Sequence, residues 1–427
     1  MRQKKLLILG SDVGSLDVLR EAHKMGVYVI VTDLMETSPT REAADETWNI
    51  STTDIDQLVD KCREVGVDGV LTGSSDFNIS NSRKLCKKLG LPLYCESDLA
   101  WEAATNKSVF KKVCEEIGAP VATSYYISDQ LTDEELDKIN YPVVVKPVDK
   151  SGNRGMRYCK NKEELRIGYR NAQSVSDNST IIVERQLHGP EFAVNYVIAD
   201  GEIQLFYFSA EHNEPGEKCN LYSMIYTTYK HLDQYKKELN EKVIEVFKKL
   251  GCKEGLAWVE CMLDDDGHFY LVEMGYRFGG EMTYVPYTYV CGFNMVKWMV
   301  EIAMGIKHKK EDLPEPLRIY NSTAASYHLW NTMDGEIAYL EGVEEISKLT
   351  NVFVDMPRRV GNTARFHTCM GVIRIFGPTV EELAKTIEEI NKLLVCKDKD
   401  GNNLIIYYTD TNRLINDFNE GIIEYHN

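Results

Sequence analysis

In residues 1–100, short apolar runs alternate with segments of helical periodicity. The runs indicate strands that are buried on both faces, because polar residues do not recur at every second position. Strands of this kind occur in parallel sheets whose two faces are covered by helices. The sequence therefore predicts an N-terminal doubly wound parallel sheet, with strands at Lys4–Gly10, Val27–Asp33 and Val67–Gly73 and helices at Leu16–Gly26 and Asp54–Gly66.

The turn Gly10–Ser15 after the first predicted strand has two interpretations. It carries Gly10 and Gly14 but lacks the complete G-x-G-x-x-G pattern of dinucleotide-binding folds. Asp33 ends the second strand, at the position of an acid that binds the ribose of a dinucleotide. Because the pattern is incomplete, we favour a close strand–helix turn that lines a substrate crevice, with NAD binding as the alternative.

The length, charge and cysteine content of the chain limit its setting and partners. A chain of 427 residues exceeds one hydrophobic core, and we expect several units of roughly 100–200 residues each. The formal net charge of −17 argues against a nucleic-acid partner, whose phosphates are neutralised by Lys and Arg. The first apolar stretch is too short for a signal peptide or a membrane-spanning helix. Because the 11 cysteines include no C-x-x-C pair, we expect a cytoplasmic protein without a membrane partner.

The pattern of elements changes at Trp101 and again near the proline-rich segment Asp312–Pro316. These changes predict three units, at residues 1–100, 101–315 and 316–427, in a fold of the α/β and α+β class. The last is a small α/β unit. Signals in the second and third units are a capping box at Thr132 and Glu135, a strand at Gly371–Gly377 and a helix at Thr379–Leu394.

Two strand-like runs within Gly255–Gly275 enclose the strongest hairpin signal in the chain, Asp266-Gly267. If these two residues form the loop, counting back along both strands places Glu260 directly opposite Glu273. Directly opposed side chains lie roughly 4.5–5.5 Å apart at Cβ, where like charges are destabilising. A carboxylate pair among apolar neighbours suits an oxygen-preferring cation such as Mg²⁺, or a shared proton. The alternative is a longer turn with a shifted register, in which each acid pairs with a separate base.

Two further segments carry groups that suit a nucleotide. Lys146 follows three consecutive valines, and the next loop carries Gly152 and Gly155 among polar and cationic residues. Such a loop can donate backbone N–H groups to phosphates, although it lacks the Walker A pattern and a structural lysine is the alternative. Farther on, Glu184 ends a buried strand and Glu191 begins the next one after a Gly-Pro turn. These acids indicate either a solvated hairpin or a linker that faces an adenosine.

In order and spacing, these segments resemble the ATP-grasp superfamily of ATP-dependent ligases. That family includes carbamoyl-phosphate synthetase large subunits, biotin carboxylases, glycinamide ribonucleotide synthetases and amino-acid ligases. The resemblance covers Trp101–Ile306. It implies a central ATP-grasp fold of two α+β subdomains, with a mobile small subdomain at about residues 123–188. It also implies ATP as a substrate and Mg²⁺, or Mn²⁺ in its place, as the metal.

The resemblance implies a role for each residue that matches a family motif. Lys107 and Lys146 would neutralise phosphate oxygens, and Lys146 would act together with Arg277 on the charge that develops in the reaction. Glu260 and Glu273 would hold the magnesium. The remaining matches are Ser151, Gly152 and Gly155 in a lid over the phosphates, Glu184, Arg185, Gln186 and Leu187 in a hinge that meets the adenine, and Glu191 near the ribose.

The chain departs from the family pattern at one position. Family members commonly read Glu-x-Asn-x-Arg, with the Asn as a further metal ligand, whereas this chain reads EMGYR from Glu273 to Arg277. Gly275 has no side-chain oxygen, so a water, a phosphate oxygen or another residue must complete the metal's ligand shell. The number of metal ions is therefore open. Glu281 is either a substitute ligand or, as we favour, a solvated loop acid.

The resemblance implies an ATP-dependent carboxylate–amine ligase that forms an acyl phosphate and releases ADP and phosphate. Backbone N–H groups near Gly279 and Gly280 would hold the acyl phosphate. The segment Glu211–Tyr229 is either a loop that lines the acceptor pocket or an ordinary surface excursion. The alternatives are a purine- or carbamate-pathway synthetase and a non-catalytic nucleotide-binding protein. The expected partners are a small carboxylate, a small amine and, at the level of the family, a second copy of the chain.

Overall fold

The computed structural model describes residues 2–150, 155–213, 222–366 and 368–426 of the chain. Its strands form one parallel sheet and several antiparallel sheets, with helices between and beside them, and the predicted fold class is confirmed. No helix within these ranges has both the length and the apolar character needed to cross a membrane.

The N-terminal part forms a four-stranded parallel sheet, and the three predicted strands are confirmed. A further strand of three residues is too short to show a period in the sequence. The Asp54 side chain caps its helix by accepting a hydrogen bond from Gln57 N, and Gly66 ends that helix with a φ of +73°. The elements are β1 (Lys5–Leu9), α1 (Val13–Lys24), β2 (Tyr28–Thr32), α2 (Pro39–Ala43), β3 (Glu46–Trp48), α3 (Ile55–Val65), β4 (Gly69–Leu71) and α4 (Asp76–Leu89). The strand order is β3-β2-β1-β4.

A small three-stranded antiparallel sheet with its own hydrophobic cluster follows. The predicted capping box is confirmed, since Thr132 and Glu135 accept hydrogen bonds from each other's backbone N–H groups. The elements are α5 (Asp98–Thr105), α6 (Lys107–Glu116), α7 (Asp133–Leu136), β5 (Val143–Pro147), β6 (Arg157–Cys159), α8 (Lys162–Val175) and β7 (Ile181–Arg185). The strand order is β6-β5-β7. A separate core suits a subdomain, and its limits and mobility stay predictions.

The remaining elements surround an eight-stranded sheet. The first group is β8 (Glu191–Ala199), β9 (Glu202–Asn213), β10 (Tyr222–Thr227), α9 (Leu232–Tyr235), a π-helical turn (Lys236–Asn240), α10 (Glu241–Leu250), β11 (Gly255–Leu263), β12 (Phe269–Gly275), α11 (Tyr284–Cys291), α12 (Met295–Ala303) and a 3₁₀ turn (Lys310–Asp312). The second group is β13 (Thr323–Trp330), β14 (Gly335–Glu336), β15 (Tyr339–Glu341), α13 (Val343–Ser347), β16 (Val352–Asp355), β17 (Thr363–Ala364), β18 (Cys369–Gly377), α14 (Val380–Leu393), β19 (Val395–Lys397) and α15 (Thr411–His426).

The C-terminal strands extend the central sheet. Its order is β12-β11-β8-β9-β10-β13-β18-β16, so strands from both sides of residue 315 share one sheet. The predicted strand at Gly371–Gly377 and the helix at Thr379–Leu394 correspond to β18 and α14 and are confirmed. The division of the chain into three units stays a prediction.

One face of this sheet is apolar and the other carries acids near its β12 edge. On the apolar face, Tyr196 of β8 packs edge-on against Phe247 of α10, with ring centroids 5.4 Å apart. On the opposite face, the strand register pairs Glu191 with Glu211 and Glu260 with Glu273. Because Glu260 also pairs with Ala193 of β8, all four carboxylates emerge on the same side of the sheet. The fold thus gathers charges that lie far apart in sequence.

Candidate active site

A cleft of about 1020 Å³ lies between the three-stranded sheet and the acidic face of the eight-stranded sheet. It brings together almost all of the predicted site residues. Gly155 does not contribute to its lining, and the predicted lid residues Ser151 and Gly152 lie outside the described residues. The predicted residues that do line it are Lys107, Lys146, Glu184, Arg185, Gln186, Leu187, Glu191, Glu260, Glu273 and Arg277.

The predicted pairing of Glu260 with Glu273 is confirmed, but the predicted two-residue loop is wrong. The last paired residues are Leu263 and Phe269, which leaves a five-residue connection, 264–268. The register then shifts by one residue through a bulge at Val272. The longer connection and the bulge offset each other, so the count along the strands reaches the right pair.

Lys107, the first residue of α6, lies against the facing acids. Its Nζ contacts Oε2 of Glu273, and burial together with the nearby Lys146 lowers the pKa of Lys107 to about 8. Two lysines and two facing acids thus share this part of the cleft. A phosphate group that enters the cleft can accept hydrogen bonds from Lys107 in place of Glu273. Both carboxylates are then free to bind a cation.

Glu184 is held by two lysines, of which only Lys146 was predicted from the sequence. Lys146 Nζ lies 3.1 Å from Oε2 of Glu184, and Lys111 Nζ lies 2.8 Å from Oε1. Burial alone would raise the pKa of Glu184, but the two ammonium groups outweigh burial and hold it below its usual value. Lys111 is one helical turn after Lys107, and this i, i+4 spacing is the signal that could have identified it. The role of Glu184 at an adenine stays a prediction.

The predicted hinge is tied to the hairpin connection. Arg185 Nη1 lies 2.5 Å from Oδ2 of Asp264, and its guanidinium carbon lies 4.9 Å from the ring centre of Tyr270. His188 N donates to the other oxygen of Asp264 at 2.7 Å. Asp264 therefore fixes the backbone that follows β7, a position the sequence analysis did not single out.

The acids of the cleft fit a cation. Burial raises the pKa of Glu191 (to about 7), Glu211, Glu260 and Glu281, and repulsion between neighbouring carboxylates adds to the effect for the first three. Within the described ranges, no group of three or more Asp, Glu, His or Cys side chains is placed to hold a metal ion. Glu260 and Glu273 are thus a two-ligand set, which suits Mg²⁺ when phosphate oxygens and waters complete its shell. Metal binding itself stays a prediction.

The raised pKa of Glu191 leads to a pH prediction. The folded chain holds this proton up to about pH 7, whereas an unfolded chain releases it near the ordinary glutamate pKa of 4.5. Between these values the folded state binds more protons, so the stability contributed by Glu191 is lost as the pH rises through that window. We expect the melting temperature to fall more steeply with pH in the native protein than in Glu191→Gln, as measured by calorimetry from about pH 5 to about pH 7.5. Parallel profiles would contradict this assignment.

Arg277 is fixed by three neighbours. Its Nε and Nη2 donate to the two oxygens of Asp76, at 2.5 and 3.2 Å, and its Nη1 donates to the carbonyl oxygen of Phe278 at 2.7 Å. The guanidinium carbon also lies 5.1 Å from the ring centre of Trp258. Neither Asp76 nor Trp258 was identified from the sequence, and no local pattern marks either of them.

The departure at Gly275 has a steric cause. Gly275 pairs directly with Trp258 across β11 and β12. A Cβ at position 275 would lie 2.2 Å from two carbons of the indole ring and 2.5 Å from its Nε1. The indole therefore occupies the volume that an Asn side chain at this position would need.

Glu281 is buried, so the interpretation as a solvated loop acid is wrong. It is 6% exposed, and its Oε1 accepts hydrogen bonds from Tyr207 Oη at 2.5 Å and Asn195 Nδ2 at 3.3 Å. Both donors lie on the acidic face of the central sheet. A role as a substitute metal ligand stays a prediction.

The described part of Glu211–Tyr229 lines the cleft, but much of it is strand rather than loop. Glu211 lies near the end of β9 and Tyr222 begins β10, while residues 214–221 lie outside the described residues. Trp330 of β13 and Asp417 of α15 also line the cleft. The sequence holds no signal for these C-terminal contributions, since both residues come from elements remote from the motifs.

The turn Gly10–Ser15 does not line this cleft. Asp12 in the turn caps α1 by accepting a hydrogen bond from Ser15 N, and Gly14 lies close to Gly73, two residues after β4. The turn is a close strand–helix connection, as we favoured. That it lines a substrate crevice stays a prediction.

Comparisons with known proteins agree with the fold. Residues 139–285 match the family model described as an ATP-grasp domain. The 2-oxoglutarate carboxylase small subunit of Hydrogenobacter thermophilus is 23% identical over 330 residues, which are 73% of this chain and 69% of that protein. The methylcrotonoyl-CoA carboxylase subunit alpha of Mus musculus is 24% identical over 392 residues, 84% of this chain, and the match spans only 52% of that protein.

Three solved structures share the architecture. An L-amino acid ligase from Bacillus licheniformis has a TM-score of 0.75 and 21% identity, covering 93% of this chain and 100% of that one. A phosphoribosylglycinamide synthetase from Anaerococcus prevotii has a TM-score of 0.71 and 18% identity, with the same coverage. The biotin carboxylase domain dimer of H. thermophilus 2-oxoglutarate carboxylase, in complex with MgADP and bicarbonate, has a TM-score of 0.73 and 19% identity, covering 99% of this chain and 96% of that one. The chain thus matches the ATP-grasp domain model over residues 139–285 and has the fold of these three structures.

Proposed function

We propose that this protein is an ATP-dependent ligase that joins a small carboxylate to an amine through an acyl phosphate. The observation that carries the proposal is the meeting of the facing acids Glu260 and Glu273 with the fixed cation Arg277 in one cleft. Phosphoryl transfer to a carboxylate depends on positioning and on charge compensation more than on covalent work by side chains. Two carboxylates and a guanidinium that neighbouring residues hold in place suit that requirement.

The nucleotide would lie between the two antiparallel sheets. Lys107 and Lys146 would turn from their carboxylate partners to the phosphate oxygens, and residues 184–187 would border the adenine. Lysines that are already buried and fixed lose little freedom when they bind phosphate. Mg²⁺ held by Glu260 and Glu273 would offset the negative charge of the phosphates.

Arg277 would orient the acid substrate. An oxygen of the substrate carboxylate attacks the γ-phosphorus of ATP, the bond to the bridging oxygen breaks, and ADP leaves with that electron pair. The amine then attacks the carbonyl carbon of the acyl phosphate, and phosphate leaves as the amide forms. The guanidinium beside the reacting groups would stabilise the charge that develops in both steps.

An acidic and aromatic compartment supports an amine as the acceptor. Glu211 and Glu281 line one end of the cleft together with Tyr222 and Trp330, whose ring centroids are 6.2 Å apart. Carboxylates attract an ammonium group, and aromatic faces add to that attraction. An amine must lose a proton before it attacks, and a buried carboxylate with a raised pKa, such as Glu281, suits proton uptake.

A second candidate uses bicarbonate as the acid, because one of the similar proteins is a 2-oxoglutarate carboxylase subunit. A purine- or carbamate-pathway substrate and a non-catalytic nucleotide-binding role are the remaining alternatives. The dimer described for the biotin carboxylase domain makes a homodimer a reasonable assembly to test.

The deciding experiment is an ADP-release screen with pooled acids and pooled amines, followed by mass measurement of the product. We expect ADP only when both an acid and an amine are present, and a product equal to their sum less water. ADP release with bicarbonate and an acceptor that gains carbon dioxide would favour the carboxylase. Nucleotide binding without turnover in any pool would favour the non-catalytic role. Failure to bind nucleotide would overturn the proposal.

A further inference from the structure

Trp258 and Gly275 form a complementary large–small pair beside the facing acids. The two residues are direct partners across β11 and β12, two positions before Glu260 and two after Glu273. The indole leaves no room for a side chain at position 275, where a Cβ would come within 2.2 Å of the ring. A side-chain oxygen ligand from this position is therefore excluded while the tryptophan keeps its place.

The indole cannot serve as a metal ligand itself. Its Nε1 carries a hydrogen and only donates hydrogen bonds. This N–H is buried and has no hydrogen-bond partner among the described residues. Next to Glu260, β11 and β12 thus present the N–H donor and the ring face of Trp258, and position 275 adds no side-chain oxygen.

The same ring supports a permanent positive charge. The Arg277 guanidinium lies over it at 5.1 Å from the ring centre, and Asp76 and the Phe278 carbonyl hold its nitrogens. Arg277 and Glu260 line the same cleft, and the tryptophan under the guanidinium lies two positions before Glu260 in β11. A fixed cation therefore borders the acids on the side where a ligand from position 275 is excluded.

We propose that the cleft binds a single divalent cation with each nucleotide, held by Glu260 and Glu273, and that Arg277 on the Trp258 ring borders this cation as a fixed positive group where a second cation is excluded. The inference rests on the proposed nucleotide site. It agrees with the absence, in the described ranges, of any group of three or more Asp, Glu, His or Cys side chains placed to hold a metal ion. Trp258 is on this account a positioning residue, because it acts through Arg277 and through exclusion at position 275.

The test is a count of bound Mn²⁺. The full-length protein is saturated with a non-hydrolysable ATP analogue and titrated with Mn²⁺, and electron paramagnetic resonance measures the free ion. We expect one Mn²⁺ for each bound analogue. Two bound ions in the native protein would overturn the inference and leave the proposed function intact, whereas failure of the analogue to bind would overturn the proposed function first.

A double variant with a smaller residue at position 258 and a larger one at position 275 provides the matched test. Trp258→Ser combined with Gly275→Asn opens the volume and restores a side-chain oxygen, and we expect a second Mn²⁺ to bind. Trp258→Phe keeps a ring under Arg277 and should still bind one. A stoichiometry of one in a folded double variant, as judged by circular dichroism, would contradict the exclusion argument. If the double variant does not fold, the native count alone decides.

Discussion

Replacing Glu273 with Gln is expected to reduce ATP-dependent turnover by about 100- to 1000-fold, which corresponds to roughly 3–4 kcal/mol of transition-state stabilisation. The substitution keeps the shape of the side chain and removes one of the two charges that face each other across β11 and β12. A neutral amide binds Mg²⁺ more weakly than a carboxylate and no longer compensates the charge of a bound cation. ADP release under saturating substrate is the measurement.

The Glu273 result needs controls that separate metal binding from structure. Glu336→Gln alters an exposed glutamate in β14 and should leave turnover unchanged. Higher Mg²⁺ concentration should recover part of the loss in Glu273→Gln, because it compensates for weaker metal binding and cannot repair a misfolded site. Native-like turnover in Glu273→Gln would show that the facing acids do not take part in the reaction.

Replacing Arg374 with Met is expected to lower the free energy of unfolding by about 3–5 kcal/mol. The arginine of β18 is 1% exposed, with Nη1 2.5 Å from Oδ2 of Asp17 and Nη2 2.5 Å from Oδ2 of Asp355. Removal of the guanidinium leaves two buried carboxylates without the counter-charge that both of them contact. Because Asp17 belongs to α1 and Asp355 to β16, this triad also joins the N-terminal sheet region to the C-terminal strands. Urea denaturation measures the loss.

Two variants identify the cause of the Arg374 effect. Arg374→Met combined with Asp17→Asn and Asp355→Asn removes all three charges and should regain most of the lost stability. Lys348→Met breaks an exposed ion pair with Glu344 in α13 and should leave the free energy of unfolding nearly unchanged. If the triple variant is as unstable as the single one, lost packing rather than unpaired charge is responsible.

The hairpin shows how far local patterns reach. The sequence led to the pairing of Glu260 with Glu273 because strand alternation and the Asp-Gly signal constrain the register. It did not indicate the five-residue connection or the bulge at Val272, because a bulge changes the register without changing the apolar pattern. The prediction reached the right pair because its error in the length of the connection and its omission of the bulge shift the register in opposite directions.

The contacts between residues far apart in sequence could not be predicted from local patterns. Arg277 was identified through the resemblance to a known family, but its partner Asp76 lies 201 positions earlier. Glu184 was assigned to a hinge, and the sequence did not show that Lys111, 73 positions earlier, joins Lys146 in holding its carboxylate. The favoured interpretation of Glu281 was wrong because nothing near it in sequence shows that Tyr207 and Asn195 enclose it. Such contacts depend on how the sheets pack.

By itself, the sequence determined the elements, their caps and the residues that carry charge at strand ends, because these follow from periodicity and from hydrogen bonds between near neighbours. The tertiary structure alone decided which charges meet. Glycine at position 275 looks in the sequence like the loss of a ligand, and in the fold it is the space that Trp258 requires. Side-chain volume and burial are properties of packed strands, and their effect on a site emerges only when both partners are in place.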